Sequence, residues 1–259
     1  MQEKLFLLRR NPEYLTDPSM TMAKIKFLKV QFTDTLHPWE IPAFRGAIVE
    51  KVGRAHHWFH NHRSSTEYFY RYPKIQYKCA GHHPMLLCLQ EGVEEVHKLF
   101  EQPDWNLHLN ERHLDMRIHQ LDLHEFDIRL MDQPQRYRIH RWVALNEKNY
   151  EAYQQIEGLA QRVTFLEKKI ASNIISFAKS IQWQVPRHFQ VNIQELSPPR
   201  RVKVKNVPLM AFDATFTTEV FLPDYLGLGR KVSLGFGVVR RQSRKERKNI
   251  QSIRLNKIS

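Results

Sequence analysis

The run "HHWFHNH", residues 56–62, holds four of the chain's 14 histidines, beside Trp58 and Phe59. Imidazole titrates nearest neutrality of all side chains, so such a cluster suits a metal, proton transfer, or the binding of something acidic. A metal would draw on His56, His60 and His62, or reach out to His82 and His83. No carboxylate stands at metal-site spacing and the two cysteines, Cys79 and Cys88, are isolated, so no metal is expected. Taken singly, each histidine has a plain reading as a surface or half-buried residue stacked on Trp58 or Tyr68. Proton transfer needs only one or two of them. Were the acidic ligand RNA, its own 2′-hydroxyl could serve as nucleophile. An enzyme would then have to remove that proton, steady the phosphate, and protonate the leaving 5′-oxygen, giving a 2′,3′-cyclic phosphate and a 5′-hydroxyl. The charge that develops on phosphorus calls for a fixed cation, and Arg45, Arg63, Arg71 and Lys78 flank the block.

A second concentration lies far downstream. Four of the nine glycines fall within "GLGRKVSLGFG", residues 227–237. Glycine collects where backbone takes a positive φ or approaches a ligand closely. Arg230 and Lys231 lie inside this loop, with Arg240 and Arg241 close behind. Backbone amides with basic side chains make a phosphate cradle, while the bland reading is a glycine-rich hairpin turn. The loop is neither a Walker nor a Rossmann loop, because no Gly-Lys-Ser/Thr is present and strand follows where a helix should. No cofactor is implied.

Composition supports a polyanionic partner. Forty Lys and Arg against 27 Asp and Glu leave a formal charge of +13 over 259 residues. No apolar run approaches the length of a membrane span, and the start does not read as a signal peptide. Two lone cysteines point to a reduced, cytoplasmic setting.

The elements that must position these groups follow from periodicity. "AKIKFLKVQF" (23–32) alternates as a strand, and "LHPWEIPAFRGAIVEKV" (36–52) sets Ile41, Phe44, Ile48 and Val52 at helical spacing. "EYFYRYPKIQYK" (67–78) and "HPMLLCLQ" (83–90) read as strands, "GVEEVHKLFEQ" (92–102) as a helix, and 105–123 as extended chain. That order, βαββαβ, predicts a ferredoxin-like unit. A strand at 137–146 opens the second half. A long helix follows over 148–182, its repeat running from Leu159 to Ile181, with Gly158 expected to kink or split it. After Pro186, "HFQVNIQEL", "RRVKVKNVPL", "FDATFTTEVFL" and "KVSLGFGVV" read as strands. The fold class expected is α+β, two tandem ferredoxin-like units, the second degenerate. The divisions are a leader at 1–21, an N-terminal domain at 22–123, a C-terminal domain at 124–240 and a basic tail at 241–259.

"FLPDYLGLGRKVSLGFGVVR" resembles the C-terminal glycine-rich motif of the RAMP superfamily, in particular the CRISPR-associated Cas-six endoribonucleases. "IPAFRGAIVEKV", "FHNH", "YRYPKIQYK" and "CLQEGVEEV" resemble the b-type branch. The blocks run in the expected order from about residue 22 to 240. The resemblance implies two ferredoxin-like (RAMP/RRM-like) domains, binding of CRISPR repeat RNA in its precursor transcript, and a metal-free cut within the repeat. It places the catalytic histidine just after the first helix, where "FHNH" lies. His60 and His62 are the candidates, and extended they would face opposite ways. Tyr68, Tyr70 and Tyr72 share one face by period two, and Tyr70 is the candidate partner in proton transfer. The expected RNA contacts are Arg45, Lys78, Gly227, Gly229, Arg230, Lys231, Gly235, Gly237 and Arg240. Effector or adaptation proteins of a CRISPR system are the further partners considered, and monomer and dimer both stay open. The rival readings are a RAMP subunit that binds processed RNA without cutting, and a general basic nucleic-acid-binding protein.

Overall fold

A computed structural model of the chain describes residues 22–60, 72–204 and 207–242. The leader at 1–21, His62, Arg63, Tyr68, Tyr70, Arg71 and the tail beyond Gln242 lie outside the described residues.

The first half runs β1 (Met22–Phe32), α1 (Ile41–Val52), α2 (His57–His60), β2 (Ile75–Ala80), β3 (His83–Leu89), α3 (Glu91–Glu95), α4 (His97–Phe100), β4 (Leu107–Leu109), β5 (Arg112–Leu114) and β6 (Ile118–Trp142). The second half adds α5 (Glu147–Gln154), α6 (Leu159–Ser180), β7 (Val191–Leu196), β8 (Arg200–Val204), β9 (Val207–Val220) and β10 (Val238–Arg241). The main sheet is ordered β2-β3-β1-β6-β9-β7, with β10 also paired to β6 and β8 to β9. The order β2-β3-β1-β6, antiparallel throughout, is that of a ferredoxin-like βαββαβ unit. The order β10-β6-β9-β7 repeats it. One 25-residue strand therefore closes the first unit and opens the second. Its N-terminal part pairs with β1, and from Leu130 it pairs with β9 and β10. The division expected between residues 123 and 124 falls within it.

The second unit is degenerate in the sense expected. Its first helix is α6. Residues 221–237, between β9 and β10, form no helix, and the glycine loop occupies that connection.

Local sequence accounts for several element ends. Pro42 sits in the first turn of α1, where its missing N–H costs nothing, and Gly53 ends the helix at φ 93°. The Asn146 side chain accepts from the Asn149 N–H and caps α5. Helix α5 stops at Gln154 and α6 starts after Gly158, so the long helical pattern splits where it was expected to. The helix read over 92–102 is two short turns, although Val93, Val96 and Leu99 are buried as its spacing implied. "RRVKVKNVPL" spans two strands, β8 and the start of β9. "KVSLGFGVV" is strand only from Val238. Lys231, Gly235 and Gly237 take φ values of 58°, 75° and 64°, which no extended strand accommodates. Leu159, read as part of the apolar repeat, is exposed at the first position of α6.

Packing makes the first sheet a middle layer. Ile41, Phe44, Ile48 and Val52 of α1 bury against Leu28, Val30, Phe32, Ile75 and Tyr77. The opposite face, with Phe27, Leu87 and Leu89, joins a second core with Phe177 of α6 and Leu226 and Leu228 of the glycine loop. Among the described residues, no helix is long and apolar enough to cross a membrane.

Candidate functional site

The histidine block follows directly from the end of α1. Gly53 turns the chain, and one short helical turn, α2, presents His57 and His60. Phe59 is fully buried and roots this turn in the core. Two side chains then hold its backbone. The Tyr77 hydroxyl donates to the Phe59 carbonyl at 3.0 Å, and Arg45 Nη2 donates to the His60 carbonyl. His60 Nε2 lies 2.8 Å from the Arg54 carbonyl. A carbonyl only accepts, so Nε2 carries a proton, and in the neutral ring the lone pair sits on Nδ1. The His57 ring stands edge-on to His60 at 5.5 Å. His56 faces elsewhere, its Nδ1 2.8 Å from Glu95 Oε1. Among the described residues, no three His, Cys, Asp or Glu side chains converge as a metal-ligand set.

Tyr77 also reaches the glycine loop. Its main-chain N–H donates to the Ser233 carbonyl at 3.4 Å, and it forms a parallel bridge with Leu234. Tyr72 makes a second tie, its hydroxyl donating to the Gly227 carbonyl at 2.6 Å while accepting from Gln76 Nε2. Burial pushes both phenols well above their ordinary range, so each stays protonated and acts as a donor. The histidine turn and the glycine loop, about 170 residues apart in sequence, are thus brought to the same strand, β2.

The loop's glycines answer to protein packing. Gly227, Gly235 and Gly237 are buried. A Cβ on Gly237 would overlap the Leu228 carbonyl oxygen, and one on Gly229 would lie 2.7 Å from the Trp142 indole nitrogen, both at positive φ. Of the two reasons expected for glycine here, a positive φ is met at Gly229, Gly235 and Gly237. The basic side chains keep an open surface: Arg230, Lys231 and Arg240 are exposed. The Arg240 guanidinium lies 4.3 Å from the Tyr225 ring centroid.

Two expected RNA contacts depart from their reading. Lys78 is 1% exposed, its Nζ has no hydrogen-bond partner among the described residues, and burial pushes it down to about 7. It lies inside the protein, on the β2 face that Gln76 shares, rather than on the surface. Arg45 is half-buried, and its guanidinium is turned to the His60 carbonyl. Burial lowers it from its ordinary value. The residue that sequence reasoning missed is Tyr77. Its one legible signal was its place in "YPKIQYK", on the apolar face with Ile75.

The chain matches known family models and solved structures over most of its length. The family model of the Cas6b N-terminal domain matches residues 23–127, and that of the Cas6b C-terminal domain matches residues 129–242. A crystal structure of Cas6b aligns with a TM-score of 0.75 at 25% identity, over 85% of this chain and 100% of that one. A crystal structure of a CRISPR RNA processing endoribonuclease Cas6b aligns with a TM-score of 0.65 at 23% identity, over 85% of this chain and 100% of that one. The uncharacterized protein MJ0978 of Methanocaldococcus jannaschii is 37% identical over 101 residues, which is 39% of this chain and 67% of that protein.

Proposed function

The chain belongs to the Cas6b family, and from that premise we propose that it is an endoribonuclease that cuts within the repeat of a CRISPR precursor transcript. The observation that carries this reading is the double attachment of Tyr77. Its hydroxyl holds the histidine turn and its backbone N–H holds the glycine loop. Groups able to move protons and a basic loop able to hold phosphates are fixed to one strand. That the likeness extends to a solved CRISPR RNA processing endoribonuclease supports the same reading.

In the proposed reaction the repeat's 2′-oxygen attacks the adjacent phosphorus, and its proton passes to an imidazole. The P–O5′ bond breaks, and the departing 5′-oxygen takes up a proton from a second group. The products are a 2′,3′-cyclic phosphate and a 5′-hydroxyl, and no metal enters the scheme. His60 and His62 are the candidates for these transfers, with Tyr70 as partner. The bond from His60 Nε2 to the Arg54 carbonyl fixes the ring's tautomer and leaves Nδ1 as the basic nitrogen. Arg45 serves as a positioning residue through the His60 carbonyl. Arg230, Lys231 and Arg240 hold phosphates.

The test is cleavage of a labelled repeat RNA. Cutting should persist in EDTA, and a single 2′-deoxy substitution just upstream of the cut should leave the RNA bound but intact. An absolute Mg²⁺ requirement, or cleavage of the deoxy substrate, would overturn the mechanism. RNA bound and never cut would leave a binding subunit.

A further inference from the structure

We propose that Trp39 is a stacking platform for an unpaired nucleobase, placed where the start of α1 meets the glycine loop. The inference rests on the reading above that the ligand is RNA. Trp39 is 73% exposed, although an indole gains more than most side chains from burial. The ring is nonetheless held in place. The His37 imidazole lies parallel to it, with centroids 4.3 Å apart and planes within 7°. One face is taken by His37, and the rest of the ring is open.

Its neighbours connect it to the basic loop on both sides. The Pro38 carbonyl lies 3.4 Å from Arg141 Nη1, and that guanidinium lies 4.3 Å from the Phe236 ring centroid within the glycine loop. Two residues after Trp39, the Ile41 side chain packs into the space left by Gly235. Arg141 brings positive charge beside Pro38, with Arg200 close to it, and Glu40, next to Trp39, is paired with Arg112. Asp213, which accepts from Arg200 and from the Arg141 N–H, offsets part of that charge. A flat aromatic face flanked by segments that hold Arg141 and Arg112 is what single-stranded RNA requires. Every base has a π-face to stack, and the phosphates on either side meet cations. A protein partner would have to be acidic and would gain nothing specific from the parallel His37–Trp39 pair.

Binding of an oligoadenylate about ten nucleotides long tests this, with a fully abasic oligomer of the same length as control. Trp39→Ala should weaken oligoadenylate binding about 5- to 100-fold. Trp39→Phe should keep most of the affinity, and Trp39→Leu should behave like alanine. The abasic oligomer should bind all three variants as it binds the wild type, and the salt slope should not move. Unchanged oligoadenylate affinity in Trp39→Ala, or an equal loss with the abasic oligomer, would overturn the platform. A variant that alters sedimentation mass but not RNA affinity would overturn it in favour of a protein contact. A wild type that cleaves repeat RNA while Trp39→Ala binds equally well would sink the platform alone. A wild type that binds no RNA would sink both it and the functional reading.

Discussion

Arg45 donates from its guanidinium to the main-chain carbonyl of His60, so a residue on α1 sets the backbone that carries the candidate proton-transfer group. Charge alone would put Arg45 on a phosphate. Half-buried, it instead holds the histidine turn at the His60 carbonyl while Tyr77 holds it at the Phe59 carbonyl.

Arg45→Ala should therefore slow single-turnover cleavage by about tenfold or more, because small displacements of a reacting group are costly. Affinity for the uncleavable 2′-deoxy repeat should be nearly kept, and Arg45→Lys should recover part of the rate. Measured as a phosphate contact, the same change would lower affinity and flatten its salt dependence. Tyr77→Phe should lower stability by about 1–3 kcal/mol by stranding the Phe59 carbonyl, read as a shift in the denaturant midpoint.

His60→Ala and His62→Ala should each slow cleavage, the dominant one by about 10²–10⁴-fold, with RNA affinity kept. The double change should be worse than either. His56→Ala should be mild, since His56 is committed to Glu95. A double variant that cuts at the wild-type rate would make the block structural.

Lys78 bears on stability. Its folded-state value, about 7, lies below the ordinary lysine value of 10.5, so between those two pH values the unfolded chain binds more protons. The burial penalty is fully present below about pH 7 and fades as pH rises toward about 10.5. Lys78→Met should be more stable than wild type by a margin that is largest at and below neutrality and shrinks in alkali. Its RNA affinity should be unchanged. Urea midpoints at several pH values, with one RNA titration, check both halves. A loss of RNA affinity would restore Lys78 to the binding surface.

In the glycine loop, packing and charge should separate. Gly237→Ala should lower the melting temperature, because its Cβ meets the Leu228 carbonyl. Arg230→Ala with Lys231→Ala should weaken repeat and scrambled RNA about equally. The log–log salt slope should fall by up to about 1.4, roughly 0.7 for each phosphate contact on single-stranded RNA. An unchanged slope would remove the loop from the RNA surface.

Several features of this protein are local and could be read directly. The spacing of Ile41, Phe44, Ile48 and Val52 marked α1, and Gly158 marked the break before α6. Gly53, one residue after α1, placed the histidine block just beyond a helix end. The order of strands and helices, read with the glycine motif, was enough for two ferredoxin-like units, the second lacking a helix. Periodicity and turn chemistry act within a few residues, so they survive in the sequence alone. What tertiary structure decided was which side of each strand is covered. Lys78 alternates with apolar residues and reads as exposed, yet its face of β2 is covered by the second half of the chain. Arg45 reads as a free cation and becomes an internal brace, because the chain folds α2 back over α1. Tyr77, one apolar-face residue among several, becomes the tie between sites at residues 59 and 233. Burial on a second face depends on segments more than 100 residues away, and neither charge nor spacing in the local sequence records it.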